Sequence, residues 1–328
     1  ADYGAMVDGA IKGLVESLND PYSAYLDPVM YKQLQEQIRG SFGGLGILVG
    51  MKGEYLTVAR TYKGTPAYVE GIQPGDIIYK IDNREVSGMD LETAVQLMRG
   101  PVGTEVNLTL IRANIKDPFD KKLTRQEIRV PTVEGNMLGD GIAYILISQF
   151  SEKTPEELTE VLDKLKSEGM RGIVLDLRNN PGGELKSAVK VASNFVPQGP
   201  VVFIEYRNGK LEEHQTTGNN LNLPLAVLVN DGSASAAEIV AGAIKDTGTG
   251  LLVGQKTFGK GVVQMVFDLG NGAGLKLTTA RYLTPNKNDI NKKGIDPDVA
   301  VAHPTGKTDT QLQKAVDLVN QKLQGKAA

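Results

Sequence analysis

The sequence predicts an α/β core that is interrupted near its start by a β-rich module and flanked by helical segments at both ends. Beyond residue 127, short and almost continuously apolar strands alternate with amphipathic helices, a pattern typical of a largely parallel sheet. Residues 40–113 are instead rich in glycine turns and short alternating strands. The length of 328 residues agrees with about two domains.

The composition excludes several classes of function. The net charge is −3 and no long run of one sign occurs, so we expect no nucleic-acid partner. Cysteine is absent, which excludes disulfides, thiolate catalysis and zinc–sulfur sites. No apolar run reaches the ~18 residues that span a bilayer. The start at Ala1 is typical of a trimmed chain and is compatible with an upstream signal peptide or anchor.

The N-terminal segment, residues 1–37, is predicted to be helical. Its apolar residues follow the helical period at Ala10, Ile11, Leu14, Val15 and Leu18. Asn19-Asp20-Pro21 ends this helix, and a second short helix is expected around Pro28–Ile38. Helices this short need a partner surface, either the rest of the chain or another subunit. We expect a homodimer formed through the helical ends.

The β-rich module is predicted to cover residues 38–113. Gly43-Gly44-Leu45-Gly46-Ile47 opens a strand, and residues 55–58 form its hairpin partner. Pro74-Gly75-Asp76 is a turn before the next strand, and Asp90 caps a helix with one apolar face. The charged, turn-rich residues 113–127 are predicted to be a connector. The core would then cover residues 114–305, and a C-terminal helix residues 306–328.

Two strand-to-helix junctions of the core carry unusual residues. The first is Asp176-Leu-Arg-Asn-Asn-Pro-Gly-Gly183, whose glycines can turn backbone N–H groups outward at the start of a helix. Such groups can form an oxyanion hole, although a plain turn is the favoured interpretation of this motif taken alone. The second is Asn230-Asp-Gly-Ser-Ala-Ser-Ala-Ala-Glu238. Here Ser233 is interpreted as a helix cap, whereas Ser235 is either a cap or an exposed nucleophile.

A serine nucleophile needs a neighbouring base. His214 lies in a polar stretch and His303 precedes a proline near the end of the chain, so neither has the context of a catalytic base. Lys260 is flanked by glycines and followed by an apolar strand, where burial would lower the pKa of its amine. Gln264 can contact this amine if the strand curves near Gly261. A Ser–Lys pair is therefore the favoured chemistry.

These stretches together resemble the carboxyl-terminal processing peptidases, which are Ser–Lys serine proteases. The resemblance rests on residues 176–183, 232–238 and 254–264, in this order and spacing, and on the tail Lys292-Lys-Gly-Ile-Asp-Pro-Asp-Val299. It extends over nearly the whole chain. It implies an α/β core of the ClpP/crotonase-like type that requires no metal or cofactor.

The resemblance also implies roles for individual residues. The nucleophile falls on Ser235, the general base on Lys260 and the assisting glutamine on Gln264. The oxyanion donors fall on the backbone of Gly183 and Ala236. Ala237 stands where the family often has a third serine, a position that is not the nucleophile.

The module at residues 38–113 resembles a PDZ domain. Its carboxylate-binding loop would be Gly44-Leu45-Gly46-Ile47, which presents N–H groups to a chain end while the peptide adds as a strand. A module inserted before the core is expected to gate the site on tail binding, and Arg99, at the end of the Asp90–Met98 helix, is a candidate regulatory residue. A solvated cation at a helix end is the simpler interpretation of Arg99.

The function implied by the resemblance is a serine endopeptidase that cleaves proteins near their C-termini. Its partners would be protein or peptide tails, and its location extracytoplasmic. Two alternatives stay open: an HtrA-like PDZ protease, which would need a histidine base, and a catalytically silent scaffold that only binds C-termini.

Overall fold

The structure is a computed structural model and describes residues 3–218, 220–303 and 308–325. The chain forms two compact units. One unit consists of residues 1–40 together with residues 131–328, and the other of Ser41–Val130. None of the helices in the described ranges is long and apolar enough to cross a membrane.

The helices of the described residues all carry a buried or half-buried face. They are α1 (Tyr3–Glu16), α2 (Pro28–Arg39), α3 (Pro66–Val69), α4 (Leu91–Met98), α5 (Thr154–Ser167), α6 (Leu185–Ala192), α7 (Ala236–Thr247) and α8 (Thr310–Leu323).

The strands pair into two sheets in each unit. In chain order they are β1 (Ala24–Leu26), β2 (Ser41–Gly44), β3 (Ile47–Lys52), β4 (Tyr55–Thr61), β5 (Ile77–Ile81), β6 (Arg84–Glu85), β7 (Glu105–Ile111), β8 (Phe119–Thr124), β9 (Gln126–Arg129), β10 (Val133–Gly139), β11 (Ile142–Ile147), β12 (Gly172–Asp176), β13 (Pro200–Tyr206), β14 (Leu211–Gln215), β15 (Leu225–Val229), β16 (Leu251–Gly254), β17 (Val262–Asp268), β18 (Gly274–Leu283) and β19 (Val299–Ala300).

The central sheet of the larger unit has the order β10-β11-β12-β15-β16-β19 and is parallel except for β10. Because its strands are buried on both faces, they are continuously apolar. Ile173 and Leu175 pack with α5, α6 and α7, whereas Val174 packs with α8 on the opposite face. The carboxyl ends of β12 and β15 lie side by side, so the two junctions singled out in the sequence are neighbours.

A second, antiparallel sheet of the same unit has the order β1-β18-β13-β14, with β17 paired to β18. Strand β1 was not expected from the sequence. It pairs with the start of β18, and α1 packs beside it through Val15, Tyr25 and Ala273. This pairing holds the segment after α1 against the sheet that carries β17.

The smaller unit has a sheet of order β3-β4-β5-β7-β8, with β6 paired to β5, and a separate β2–β9 pair. The expected hairpin of β3 and β4 and the helix capped by Asp90 are both present; Asp90 Oδ1 accepts from Thr93 N at 2.8 Å. The hairpin strand was expected to open at Gly43. In the structure, Gly43 and Gly44 instead belong to β2, and the hairpin strand β3 begins at Ile47.

Residues 113–127 differ from the expected connector. They contain β8, which pairs with all but the last residue of β7, and the start of β9. Exposed Asp120, Lys122 and Thr124 alternate with half-buried or buried Phe119, Lys121 and Leu123. This is the pattern of a strand with one solvent-exposed face. The compact unit consequently extends to Val130. The boundary expected between residues 305 and 306 lies outside the described residues, as does Ala1.

Candidate active site

Ser235 occupies the turn between β15 and α7 with φ 54° and ψ −116°. This left-handed conformation is costly for a residue with a side chain, of order 1–3 kcal/mol, and such outliers concentrate at functional sites. The side chain is half-buried, whereas neighbouring Ser233 is fully buried. The Ser233 hydroxyl donates to Leu177 O at 2.7 Å and accepts from Asn230 N, so Ser233 has a structural role.

Glu238 joins the Ser235 turn to the loop that carries Lys260. Its carboxylate is completely buried, and Oε2 accepts from the backbone N–H groups of Ser235 and Lys260, both at 2.9 Å. Oε1 accepts from Gly259 N at 2.7 Å and from Thr257 Oγ1 at 2.6 Å. Four donors satisfy the buried charge, so the two loops are held at a fixed separation.

Tyr282, on β18, makes a second connection between the same two residues. Its hydroxyl lies 3.0 Å from Ser235 O and also bonds Lys260 O. Burial raises the pKa of Tyr282 well above its ordinary value, which keeps this hydroxyl protonated as a donor. Ser235 and Lys260 are thus bridged through their N–H groups and through their carbonyl groups.

Lys260 is half-buried, with Nζ 4.8 Å from the centre of the Tyr22 ring. Burial lowers the pKa of its amine, and the ammonium of Lys276 lowers it further; Asp20 and Glu238 act in the opposite direction. The net effect is a lowered pKa, which increases the fraction of neutral amine that can accept a proton.

The two glycines of the first junction lie against the Ser235 turn. A Cβ on Gly182 would stand 2.7 Å from Ser235 Cβ and 2.8 Å from Ala236 N, so only glycine allows this approach. Ala234 N donates to Asn180 O at 2.9 Å and links the two junctions. Among the described residues, the N–H groups of Gly183 and Ala236 have no acceptor, as an oxyanion hole requires.

Gln264 lies on β17 beside a register shift between Val263 and Gln264. A β-bulge bends its strand, as the assisting role of Gln264 would need, and this irregularity lies two residues later than expected. Its amide donates to Val262 O at 3.3 Å and to Thr278 Oγ1 at 3.4 Å. Gln264 is thus bonded to the neighbouring strand.

Arg178 anchors the first junction to the C-terminal helix. Its guanidinium bonds Asp176 Oδ2 at 2.6 Å and both carboxylate oxygens of Asp309, the N-cap residue of α8. Burial alone would lower the pKa of Arg178, but the hydrogen bonds to the two aspartates raise it above its ordinary value. Arg178 therefore remains a fixed cation that supports the glycine turn.

The histidines stay outside this arrangement. His214 lies on β14, where its Nε2 is 3.1 Å from Glu212 Oε1. His303 follows β19, directly before a range that the structure does not describe. No group of three or more His, Asp or Glu side chains in the described ranges is arranged to hold a metal ion.

In the smaller unit, Gly44-Leu45-Gly46-Ile47 leads into β3, which is an edge strand with α4 beside it. Gly46 has φ +73°, and a Cβ there would lie 2.2 Å from Thr65 Cβ. The N–H groups of Leu45 and Gly46 have no acceptor in the described part of the chain. An open strand edge beside two N–H groups can receive an extended peptide and its terminal carboxylate.

Arg99 ends α4, donating its N–H to Val95 O, and its guanidinium lies 4.1 Å from the centre of the Phe42 ring. Phe42 belongs to β2, the strand that leads into the Gly44–Ile47 loop. Arg99 therefore links the end of α4 to the strand that leads into the loop Gly44-Leu45-Gly46-Ile47.

Sequence reasoning missed the residues that hold the reactive groups in place. Glu238 was named only as the end of the second junction and Asp20 only as part of a helix end, and Tyr22 and Tyr282 were not considered. A signal for Glu238 was available, since it is the one charged residue within Ala236–Ile244, an otherwise apolar stretch that is buried throughout. Tyr22 and Tyr282 had no such signal because the chain brings them to Lys260 from distant positions.

Comparisons with known proteins show the family of this chain. The model of peptidase family S41 matches residues 141–301, a PDZ-domain model matches residues 57–112, and the model of the activating protease CtpB N-terminal domain matches residues 1–29. The chain is 41% identical over 305 residues to the carboxy-terminal processing protease CtpA of Bacillus subtilis, which covers 92% of this chain and 65% of that protein.

Two further matches cover more of the related chain. The carboxyl-terminal-processing protease of Synechocystis sp. is 38% identical over 324 residues, covering 94% of this chain and 76% of that protein. The solved photosystem II D1 C-terminal processing protease aligns with a TM-score of 0.57 and 33% identity, covering 93% of this chain and 85% of that one.

The fold and the matches define an S41-type peptidase chain with a PDZ domain, which confirms the predicted fold class. The chain belongs to the carboxy-terminal processing proteases. It spans 65% and 64% of the length of the Bacillus subtilis relatives CtpA and CtpB.

Proposed function

We propose that this chain is a serine endopeptidase that cleaves protein substrates near their C-termini, with Ser235 as nucleophile and Lys260 as general base. The observation that carries this proposal is the double bridge through Glu238 and Tyr282, which joins a strained serine to a lysine whose pKa is lowered. The silent-scaffold alternative leaves this costly arrangement unexplained. The HtrA-like alternative lacks the histidine base that it needs.

The reaction proceeds in two halves. The neutral Lys260 amine takes the hydroxyl proton as Ser235 Oγ attacks the scissile carbonyl carbon, and the N–H groups of Gly183 and Ala236 bind the oxyanion. Collapse breaks the C–N bond, and the Lys260 ammonium returns the proton to the leaving amine. Water then hydrolyses the acyl-enzyme by the same route. Gln264 is proposed to orient the Lys260 amine, and no cofactor takes part.

The test is to incubate the chain with unfolded protein substrates and map the cut sites by mass spectrometry. Ser235→Ala and Lys260→Ala should each abolish cleavage while the circular dichroism spectrum is unchanged. Lys256→Ala is the matched control, because Lys256 is an exposed lysine in the same loop. Near-normal turnover by Lys260→Ala would refute the base assignment. Gln264→Ala should reduce the rate by less than either.

We also propose that the PDZ domain captures the substrate tail at Gly44-Leu45-Gly46-Ile47. Amidation removes the terminal charge that the free N–H groups of this loop would bind, so amidated substrates should bind more weakly. Equal cleavage of substrates with free and amidated C-termini would remove the PDZ domain from recognition.

Tail binding is proposed to control turnover through Arg99, which connects α4 to β2 by its stacking on Phe42. Arg99→Ala should change the basal turnover of a short unstructured peptide much more than it changes the melting temperature. If Arg99→Ala turns the peptide over at the rate of the parent chain, both with and without a tail peptide, the PDZ domain acts only as a passive tether.

A homodimer through the helical ends is proposed because α1 exposes an apolar surface. Tyr3 is 79% exposed and Leu14 71%, and Met6 and Val7 are exposed as well. Exposed apolar clusters of this kind mark interaction sites. Light scattering should give a dimer that Leu14→Glu converts to a monomer; a monomeric parent chain would refute the proposal. The proposed location is extracytoplasmic.

A further inference from the structure

The segment between α1 and β1 lies against the proposed catalytic base. Tyr22 places the face of its ring 4.8 Å from Lys260 Nζ, within the distance at which an aromatic ring attracts an ammonium group. Both side chains are half-buried. A residue more than 200 positions earlier in the chain therefore forms one wall of the site around the amine.

The loop that carries Tyr22 is fixed by hydrogen bonds to β18. The pairing of Ala24 with Lys276 sets its register, and Thr278 N donates to Ser23 Oγ at 3.1 Å. Ser23 Oγ in turn donates to Asp20, and Tyr22 N donates to Asp20 Oδ1 at 3.3 Å. The turn from Asp20 to Ser23 is consequently built around the Asp20 carboxylate.

Thr278 lies between Asp20 and the glutamine of the proposed site. Its backbone N–H donates to Ser23 Oγ, which donates to Asp20, and its hydroxyl accepts from Gln264 Nε2 at 3.4 Å. Burial alone would raise the pKa of Asp20, but the hydrogen bonds from Ser23 and Thr278 lower it, so Asp20 is ionised at neutral pH. Thr278 therefore connects Gln264, through Ser23, to the carboxylate whose charge acts on Lys260.

The groups that act on Lys260 come from three elements: Asp20 and Tyr22 from the loop after α1, Glu238 from α7, and Lys276 and Tyr282 from β18. Asp20 and Lys276 carry opposite charges and act on the pKa of Lys260 in opposite directions. Glu238 and Tyr282 bond the backbone of Lys260, whereas the ring of Tyr22 and the charges of Asp20 and Lys276 act on its amine.

We infer that Asp20 and Tyr22 are positioning residues for Lys260, and that the loop of residues 19–23 is a structural part of the active site. The inference rests on the proposed Ser235–Lys260 chemistry. It makes the N-terminal segment necessary for catalysis independently of any role in subunit contacts.

The first test titrates the Lys260 amine in the full chain labelled with ε-¹³C lysine, in a Ser235→Ala background that removes turnover. Asp20→Asn keeps an oxygen acceptor for Ser23 but removes the charge, so Lys260 should titrate at lower pH than in the parent chain. Lys276→Gln should make it titrate at higher pH. Lys12→Gln, an exposed charge change on α1, is the control and should leave the titration unchanged.

The second test measures kcat and KM with Ser235 intact. The acid limb of the kcat/KM profile should move to lower pH in Asp20→Asn and to higher pH in Lys276→Gln, changing the rate at a fixed pH on that limb about two- to fivefold. Tyr22→Leu should lower kcat about tenfold with little change in KM, since the ring that holds the amine is lost. Tyr22→Phe keeps the ring and should stay within about twofold of the parent chain.

The outcomes separate the two hypotheses. If Lys260→Ala is inactive but the Lys260 titration is the same in Asp20→Asn, Lys276→Gln and the parent chain, and Tyr22→Leu keeps its kcat, the loop has no positioning role and this inference fails alone. If Lys260→Ala is active, the proposed function fails, while the titration still reports whether the loop acts on the amine. Should Asp20→Asn not fold, the Lys276→Gln titration and the comparison of Tyr22→Leu with Tyr22→Phe decide the question.

Discussion

Each unit of the molecule buries one ionised side chain that makes no ion pair among the described residues. In the larger unit it is Glu238, completely buried, and in the smaller unit it is Arg125, 7% exposed. Glu238 accepts four hydrogen bonds, three of them from backbone N–H groups. Arg125 donates four, three of them to backbone carbonyl groups. Backbone N–H and carbonyl groups thus supply most of the hydrogen bonds to both charges.

The difference lies in what the two side chains connect. Glu238 joins the turns of Ser235 and Lys260, so it fixes the reactive groups relative to each other. Arg125 bonds Leu97 O at 3.0 Å and Met98 O at 2.9 Å, so it caps the C-terminus of α4, the helix beside edge strand β3. Under the proposed function, the same physical device serves catalysis in one unit and the shape of a binding groove in the other.

The largest effect is expected for Glu238→Ala. The substitution leaves the buried N–H groups of Ser235, Gly259 and Lys260 without an acceptor, which should cost about 3–5 kcal/mol of stability. Loss of the serine–lysine alignment should also lower kcat at least ~10³-fold. Tail-peptide binding by the PDZ domain, followed by calorimetry, should be retained. A variant that keeps the parent kcat would show that the carboxylate does not align the pair.

Arg125→Met should affect the other unit. Its loss uncaps α4 and leaves buried carbonyl groups unpaired, which should lower the stability of the PDZ domain by about 2–4 kcal/mol and weaken tail binding. Arg125→Lys should be intermediate, since an ammonium cannot reproduce the planar donor geometry. At temperatures where its PDZ domain is still folded, the Arg125→Met variant should continue to cleave a short peptide that has no recognised tail. Equal loss of both functions would contradict the division of roles.

The sequence was sufficient to predict the features that depend on local pattern. The parallel strands, the helix capped by Asp90 and the two glycine-bearing junctions all carry signals within a few residues. The prediction of a connector over residues 113–127 was wrong because β8 is an edge strand with one solvent-exposed face. Its charged side chains conceal the two-residue alternation of buried and exposed positions. Tyr22 and Tyr282 could not be predicted as supports of the proposed site, because they meet Lys260 only through the pairing of β1, β17 and β18. Glu238 carried a local signal, as the one charged residue in a buried apolar stretch.

The pH dependence should also separate the two units. Because the neutral form of Lys260 is the base and burial lowers its pKa, kcat/KM should rise with pH and then level off. Below the lysine pKa, the rate should change about tenfold per pH unit. Tail binding at Gly44-Leu45-Gly46-Ile47 involves backbone N–H groups and should stay constant over the same range. A rate that is flat from about pH 5 to 9 would argue against a lysine base.

The smallest effects come from removing one hydroxyl at each buried charge. Thr257 Oγ1 donates to Glu238 at 2.6 Å and accepts from Ile295 N at 2.7 Å, and it is buried, so Thr257→Val leaves an amide without a partner. We expect a loss of about 1–3 kcal/mol and a measurable fall in kcat. Thr104 Oγ1 accepts from Arg125 Nη1 at 3.0 Å but is exposed, and water can replace it.

Thr104→Val is therefore the matched substitution in the smaller unit, and it should cost no more than ~0.5 kcal/mol. Denaturant unfolding of the two variants, with amide hydrogen exchange to assign each loss to its unit, measures the difference. The buried hydroxyl should be the costly one because its partners have no access to solvent. Equal losses would mean that the two charges rely on their hydroxyl partners to the same extent, and that burial does not distinguish the catalytic connection from the architectural one.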